Sequence, residues 1–514
     1  MADTEKIFSR LQNGNDIRGA AIAANGEERT LTPDLAQFAA AAFAGWLADR
    51  LGRETSSLRV GVGHDSRVTA QEIKEGVLKG LSGVQAFDCG LASTPSMFQS
   101  TVLEGSNFDG AVMITASHLP FNRNGIKVFT KDGSPEKADM TEILARAAKL
   151  AEQYGEEDPE AIISARQMPA GGIPAQKFDM VSLYCEHMKA YIKEAVKAED
   201  YDKPLAGSHI IVDAGNGAAG FFATKILEPL GADTAGSVYL EPDGTFPNHI
   251  PNPENREAIE ACRKATVDAG ADLGVIFDCD GDRGAVVFAD GTEVNRNTLI
   301  ALLAAIVSEQ HPGSTVVTDS VTSDELSEFL TGKLGMRHLR YKRGYKNVID
   351  KGIELNKAGT DCELAIETSG HGAFRDNYFS DDGAYIAVRV ICKMAQLKRE
   401  GRRIEDLIAD LAQPAESAEV RYTILEEDYK AYGQKVLKEF AAFARRQPLF
   451  HIVEPNYEGV RVSFDDEQVK GWMLIRQSLH DPVMPMNIES RGKGGVQVIM
   501  DRLAPFFADK ALRS

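Results

Sequence analysis

Three aspartates at alternate positions, Asp278, Asp280 and Asp282, follow directly on an apolar run that ends at Phe277. Carboxylates so placed can converge on one hard cation, and an all-oxygen donor set suits Mg²⁺. Without a cation, their mutual repulsion at the end of a strand is unfavourable. An EF-hand loop counted from Asp278 needs Gly at its sixth position and Glu at its twelfth. Arg283 and Ala289 stand there instead, which excludes that loop. A solvated acidic turn is the plain alternative, but Arg283 beside the triad speaks for a site, because a cation next to a metal ordinarily serves an anion. A second candidate is Ser117 with His118, just past the apolar run Ala111 to Ile114 and near enough to Lys127 to share its loop. Alone, a Ser-His pair in a loop is ordinarily a solvated polar pair. Pro120 and the turn Asn122-Arg123-Asn124-Gly125 nevertheless end the strand there, so a hydroxyl stands where open α/β sheets place ligands. Glu367 and Ser369, two residues apart, lie on one side of an extended chain and suit adjacent sugar hydroxyls; His371 follows them.

The elements that must position these residues repeat on a domain scale. Three strand-like runs each end in Asp and a small residue, at Asp65-Ser66, Asp213-Ala214 and Asp319-Ser320, and a helical pattern follows, as over Gln71 to Gly80 and Ser323 to Leu330. Further along each unit, a second apolar strand leads into Thr115-Ala-Ser117-His118, Asp278 to Arg283, or Glu367 to His371. Alternating strands and helices predict parallel sheets. The last hundred residues differ: a helical stretch over Glu426 to Arg445, then three closely spaced strands near Gly459–Phe464, Trp472–Arg476 and Pro485–Glu489, then a helix after Gly494. The expected fold class is therefore α/β, with three similar α/β domains of mixed, mainly parallel sheets and a C-terminal α+β domain around a central cleft. The boundaries read as 1–202 (Ser117 loop), 203–310 (Asp triad), 311–414 (Glu367 loop) and 415–514. Within the first, Glu156 to Pro174 reads as an acidic, Pro/Gly-rich excursion.

The stretch from Thr115 to Lys127 resembles the phosphoserine loop of the α-D-phosphohexomutases, T-A-S-H-x-P followed by N-G-x-K, through Thr115, Ala116, Ser117, His118, Pro120, Asn124, Gly125 and Lys127. Asp278 to Arg283 matches that family's D-x-D-G-D-R, and Glu367 to His371 its sugar-recognition loop E-x-S-G-H, with Asp382-Gly383 following. Asp16-Ile17-Arg18-Gly19 matches its D-x-R-G turn, although the Phe-Gly-Thr that often leads that motif is absent. Arg343-Gly344-Tyr345-Lys346 resembles a loop that meets the sugar or its non-reacting phosphate. Arg476, Ser478 and Pro482 keep the register of the phosphate loop R-x-S-G-T-E-P, while Leu479-His480-Asp481 replaces Gly-Thr-Glu and Leu119 stands where many members have Asn. Gly63-x-Asp65-x-Arg67, Thr94-Pro95, Asp243 to Asn248 and Pro251 to Glu254 match as well.

The resemblance implies a phosphohexomutase of the phosphoglucomutase/phosphomannomutase type. A phosphoserine at Ser117 exchanges its phosphoryl group with a hexose 1- or 6-phosphate through a hexose 1,6-bisphosphate, which is also the activator. It implies Mg²⁺ on Asp278, Asp280, Asp282 and a phosphate oxygen of Ser117. Lys127, His118 and Arg18 serve the transfer, with His118 and Lys127 stabilising charge or moving protons. Arg283, Gly344, Tyr345, Lys346, Glu367, Ser369 and His371 bind the substrate, and Arg476, Ser478 and His480 hold the phosphate that is not transferred. Three alternatives stand beside it: a hexose-1,6-bisphosphate synthase on the same scaffold, a metal-dependent sugar phosphatase, and a non-catalytic phosphosugar-binding protein. The intact Ser117 and Asp triad count against the last.

Bulk properties narrow the partners. The 514 residues carry a formal charge of −19, which repels nucleic acid and anionic membranes, so neither is an expected partner. A phosphorylated small molecule would be repelled too, unless local basic residues reverse the field. Six cysteines without a C-x-x-C pair suit a reducing compartment, and the first residues lack a signal peptide's basic start and apolar core. No stretch approaches the ~20 apolar residues of a membrane span. The expected location is the cytoplasm.

Overall fold

The computed structural model describes residues 3–24, 26–158, 162–165, 174–478 and 481–513. Most of the excursion anticipated between Glu156 and Pro174, together with His480, lies outside them. The chain packs into two compact units: one takes residues up to Asn295 with Ser369–Ala373 and Ser380–Ile404, the other Arg296–Thr368, Phe374–Phe379 and the chain from Glu405 onward.

The first unit holds two mixed sheets. In the larger, β1 (Asp16–Ala20), β2 (Arg59–His64), β3 (Gln85–Leu91), β4 (Gly110–Ile114) and β5 (Arg123–Thr130) lie in the order β1-β5-β4-β2-β3, with short strands at Gln12–Asn13 and Gln176–Lys177 on the two edges. β2 runs parallel to β3 and β4, whereas β5 is antiparallel to β4 and to β1. Every residue of β4 is buried, which explains its unbroken apolar run: a strand covered on both faces has no polar side to alternate with. The smaller sheet joins β6 (Ile210–Asp213) in parallel to β7 (Leu273–Phe277), and β7 antiparallel to β8 (Gly284–Phe288).

In the second unit, β9 (Thr315–Thr318) is flanked in parallel by β10 (Arg337–Arg340) and β11 (Cys362–Ile366). The expected helix after Ser323 is short, Asp324–Glu328, and widens into a π-helical turn over Phe329–Lys333. The C-terminal part is an antiparallel sheet built on β12 (Glu416–Ile424), β13 (Val460–Asp465), β14 (Lys470–Ile475) and β15 (Val483–Ser490). Helices Tyr429–Ala444 and Gly495–Phe507 cover it, with Phe440, Phe450, Phe464, Phe506, Met484 and Met486 in the core between them. Along β13, Val460, Val462 and Phe464 face that core, and Arg461 points the other way, its guanidinium 3.7 Å from the Trp472 ring centroid. The fold class read from the sequence is the one observed: mixed, mostly parallel α/β sheets and a C-terminal antiparallel sheet domain.

Helix α1 (Pro33–Leu51) is buried on nearly every side, starts at the Thr32 cap and lies against α2 (Ala70–Gly80). Gly76 and Gly80, one turn apart on α2, make the approach possible: a Cβ on Gly76 would overlap the Pro33 carbonyl oxygen, and one on Gly80 that of Gln37. Alanine is the better helix former by about 1 kcal/mol. Gly76→Ala is nonetheless expected to destabilise the first unit by about 1–3 kcal/mol, since the obstacle is backbone and cannot change rotamer. A lowered urea midpoint checks this; an unchanged or raised one shows that the helices re-space freely.

Candidate active site

The two candidate loops of the first unit, Asp278 to Arg283 and the one holding Ser117, are connections between antiparallel neighbours. Phe277 pairs with Gly284, so Asp278 to Arg283 is the whole connection from β7 to β8, turned by Gly281 at φ +73°. In so tight a loop the three carboxylates face inward together, and oxygens of all three lie within 4.8 Å of one another. Ile114 pairs with Ile126, so the Ser117 loop closes the same way between β4 and β5. That register sets Lys127 opposite Met113 and Arg18 of β1 opposite Gly125.

Ser117 sits at φ +50°, a left-handed conformation that an L residue adopts only under constraint. Its hydroxyl donates to Asp278 Oδ2 at 2.8 Å and lies 3.2 Å from His118 Nδ1. Lys127 Nζ donates to Asp280 at 2.9 Å and to Asp282 at 2.5 Å. Arg283 pairs with Asp278 at 3.0 Å, donates to Asn252 Oδ1 at 3.2 Å and gives an N–H to His118 Nδ1 at 2.7 Å. Arg18 spans from the Thr115 carbonyl, 2.8 Å away, to Asp16, also 2.8 Å away. His371 meets Asp381 at 2.7 Å and Asp282 at 3.8 Å, and Ser369 precedes it in the same unit.

Burial decides the electrostatics. All three aspartates are at most 1% exposed. Burial and the charge of Asp282 raise the Asp278 carboxyl above its usual range. Burial acts against Asp280 too, yet Lys127 and a hydrogen bond from Thr94 outweigh it and hold that carboxyl low. Lys127 stays firmly cationic, because Asp280 and Asp282 overcome its own desolvation. Burial and Arg283 push His118 down to about 3; its imidazole is neutral, with Nδ1 accepting. Burial lowers His371 as well, but Asp381 and Asp282 more than offset it and lift it to about 9. Asp280 Oδ1 and Asp282 Oδ1 are buried with no hydrogen-bond partner among the described residues. Two orphan carboxylate oxygens beside Asp278 fit a hard divalent cation, which binds through oxygen alone.

In the second unit, the carboxyl ends of β9, β10 and β11 carry Asp319, the Arg343–Lys346 loop and Glu367. Glu367 accepts the Gly344 N–H at 2.6 Å, and Lys346 pairs with Asp350 at 2.7 Å on the helix that Tyr345 begins. Arg476 closes β14, only 9% exposed, and the Ser478 hydroxyl accepts the Asp481 N–H at 3.2 Å. Glu458 accepts the Arg343 N–H at 3.1 Å and the Ser320 hydroxyl. Burial lowers the Arg476 pKa, and Glu458 is the main charge opposing that loss.

Several of these partners carried no role in the sequence reading. Thr94 donates its hydroxyl to Asp280 at 2.5 Å and its N–H to the Asp280 carbonyl at 2.8 Å. Asp65 and Arg67 lie under the Ser117 loop, Asp381 orients His371, and Glu458 buttresses Arg343. Thr94-Pro95 and Gly63-x-Asp65-x-Arg67 were visible as motif matches; for Asp381 the only hint was its place beside Asp382-Gly383, and for Glu458 there was none.

Residues 9–154, 183–291 and 295–415 match, in turn, the family descriptions phosphoglucomutase/phosphomannomutase, alpha/beta/alpha domain I, domain II and domain III. The chain is 27% identical over 490 residues to a phosphoglucomutase of Neisseria gonorrhoeae, covering 95% of this chain and 94% of that one. It is 29% identical over 456 residues to a phosphomannomutase/phosphoglucomutase of Pseudomonas aeruginosa, covering 87% of each. Among solved structures, a phosphoglucomutase/phosphomannomutase family protein of Burkholderia thailandensis superposes with a TM-score of 0.77 at 25% identity, over 99% of both chains. With three consecutive domain matches, relatives aligned along nearly its whole length and the same fold, the chain belongs to the α-D-phosphohexomutases, as an enzyme of the phosphoglucomutase/phosphomannomutase family.

Proposed function

We propose that the enzyme interconverts the 1- and 6-phosphates of glucose, mannose or both, through a phosphoserine at Ser117 and a hexose 1,6-bisphosphate. The observation that carries this reading is the Ser117 hydroxyl held 2.8 Å from Asp278, inside a cluster of three carboxylates that Lys127 and Arg283 neutralise in part. A neutral serine is a weak nucleophile, but a phosphoserine among cations is a competent phosphoryl donor. In the forward transfer the bond from Ser117 Oγ to phosphorus breaks as a hexose hydroxyl oxygen takes the phosphoryl group. The hydroxyl's proton is released, and Ser117 Oγ regains one. In the return transfer Ser117 Oγ takes the phosphoryl group back, and the proton it loses balances the one the departing hexose oxygen gains. Lys127, Arg283 and Arg18 supply positive charge to the phosphoryl oxygens. Asp278, Asp280 and Asp282 would hold Mg²⁺, which when bound adds further neutralisation of the transferring group.

The same reading gives Glu367 and Ser369 the sugar hydroxyls, and His371 a place beside the reacting end. Arg476 and Ser478, with His480, hold the phosphate that stays, and the 343–346 loop meets the sugar from the same unit. The boundaries 1–202, 203–310, 311–414 and 415–514 are proposed as the corresponding domains. A cytoplasmic location fits six free, buried cysteines. No helix among the described residues is long and apolar enough to cross a membrane.

The deciding assay measures glucose 1-phosphate to glucose 6-phosphate conversion with Mg²⁺, with and without trace glucose 1,6-bisphosphate, alongside mannose 1-phosphate. Activity boosted by the bisphosphate and abolished by Ser117→Ala is expected. Bisphosphate accumulation from another phosphoryl donor, without isomerisation, would overturn the reading in favour of a synthase, and turnover surviving in Ser117→Ala would indicate a phosphatase. Arg476→Ala should raise KM roughly tenfold or more, the loss of a charged hydrogen bond being about 1.5–3 kcal/mol. A kcat effect with KM unchanged would remove Arg476 from the phosphate grip. Lys127→Ala should destabilise the metal-free protein by about 3–5 kcal/mol, because two buried carboxylates lose their cation. Millimolar MgCl₂ should return much of that stability in a thermal melt; no response to Mg²⁺ would argue against a metal at the triad.

A further inference from the structure

The segment from Ser117 to Arg123 has little regular structure, and its turning backbone leaves four carbonyls facing inward. One side chain takes all four. Arg67, 2% exposed, donates through Nη1 to the carbonyls of Pro120 and Arg123 at 2.8 Å each, and through Nη2 to those of Ser117 and Leu119. Its Nε lies 3.5 Å from Asp65, which is fully buried and also accepts the Arg67 backbone N–H at 3.0 Å. A further Asp65 contact comes from the neighbouring loop: Cys279, between Asp278 and Asp280, donates its thiol to Asp65 at 3.3 Å. The Phe246 ring lies 5.4 Å from the Arg67 guanidinium, in a loop whose Gly244 packs on the 66–68 turn so closely that a Cβ would strike backbone.

We infer that Arg67, anchored by Asp65, is the positioning residue for the phosphoryl-transfer serine: it holds the Ser117 backbone in its left-handed conformation and ties that loop to the loop of the three aspartates. The argument is geometric. A Ser at φ +50° relaxes unless its surroundings fix it, and a bond to the carbonyl of Ser117 itself, shared with three further carbonyls of the same loop, fixes it. Buried carbonyls need donors, and a planar guanidinium is the one side chain whose N–H groups serve four of them at once; an ammonium has three donors on a single nitrogen. Arg67 touches none of the groups proposed to bind substrate, so its effect belongs to the chemical step and not to affinity.

This inference rests on the phosphoserine reading, and the test separates the two. Wild type, Arg67→Lys, Arg67→Ala and Asp65→Asn are compared for kcat and KM with Mg²⁺ and glucose 1,6-bisphosphate, for the rate of Ser117 phosphorylation by the bisphosphate (intact-mass spectrometry), and for thermal midpoint. Arg67→Lys should remain folded and lose about 100-fold in kcat and in phosphorylation rate, the loss that a misplacement of about 1 Å brings, with KM little changed. Guanidinium ion at low millimolar concentration should restore Arg67→Ala several-fold, and methylammonium should not. Asp65→Asn should fall between wild type and Arg67→Lys. Wild-type kcat in Arg67→Lys, a loss confined to KM, or unfolding of both Arg67 variants would overturn the assignment, the last by making Arg67 purely structural. A wild-type enzyme that neither isomerises nor takes phosphate on Ser117 would instead overturn the phosphoserine reading.

Discussion

The first unit is organised by a conflict of like charges. Three carboxylates lie buried at the end of β7, where two unit charges about 4 Å apart repel by about 4 kcal/mol at an effective dielectric of about 20. The protein does not avoid this by exposing them. It brings Lys127 from β5 to two of them and Arg283 to the third. One sheet therefore supplies the anions and the other the main cation, so the packing of the two sheets and the assembly of the site are the same event. Replacing such buried ion clusters by apolar groups often leaves a protein as stable or more so. Three carboxylates with two orphan oxygens are thus better explained by a ligand they await than by the stability they give.

The second unit meets the same constraint with the signs reversed. Arg461 is buried against Trp472, donating to the carbonyls of Ser320 and Thr322 and pairing with Asp324, which also pairs with Arg340. Burial of two arginines side by side is costly enough to lower the Arg461 pKa to about 9, with Arg340 the principal charge responsible after desolvation. Nearby, Glu489 accepts from the Trp472 indole, and burial raises its carboxyl to about 7. These contacts join β13 and β14 to the end of β9, which carries Asp319 and Ser320. Arg343, Glu458 and Ser320 continue the network, so the cations proposed to hold a phosphate are braced by carboxylates within their own unit.

What the sequence made legible was local. Asp278 to Arg283 is one tight loop, so its spacing already encodes convergence, and Ser117 follows a strand whose apolar run has no rival reading. The helix Pro33–Leu51 left no such trace, since a helix buried all round has no polar face and no 3.6-residue stripe. Thr94 stood out only as part of a motif match, and its role stayed hidden for another reason: its partner Asp280 is 186 residues away, and a lone Thr-Pro says nothing of a carboxylate. Arg67 was harder still. Its partners are backbone carbonyls, so no pattern of residue types announces them. The end of the helix after Ser323 escaped because a π-helical turn keeps nearly the same apolar pattern while shifting the hydrogen bonds by one residue.

A chain of net charge −19 that belongs to a family of phosphosugar enzymes must make positive ground locally, and the pairs described above indicate how. Arg18 is held by Asp16, Lys127 by Asp280 and Asp282, Arg283 by Asp278, and Arg343 lies 3.8 Å from Asp319. Each cation is balanced at a distance, so little long-range field is available to draw an anion in. At hydrogen-bonding range the balance is different. An arginine gripped by a carboxylate has its direction already fixed, so little conformational entropy is lost when it turns a donor to a ligand. Recognition of a phosphate by such groups comes from pre-aimed donors more than from net potential. It should therefore be weakly sensitive to ionic strength in the association step, where long-range steering operates, and strongly sensitive to the geometry that each carboxylate imposes. The acidic partners are then part of the grip, and their abundance in the sequence is no argument against an anionic substrate.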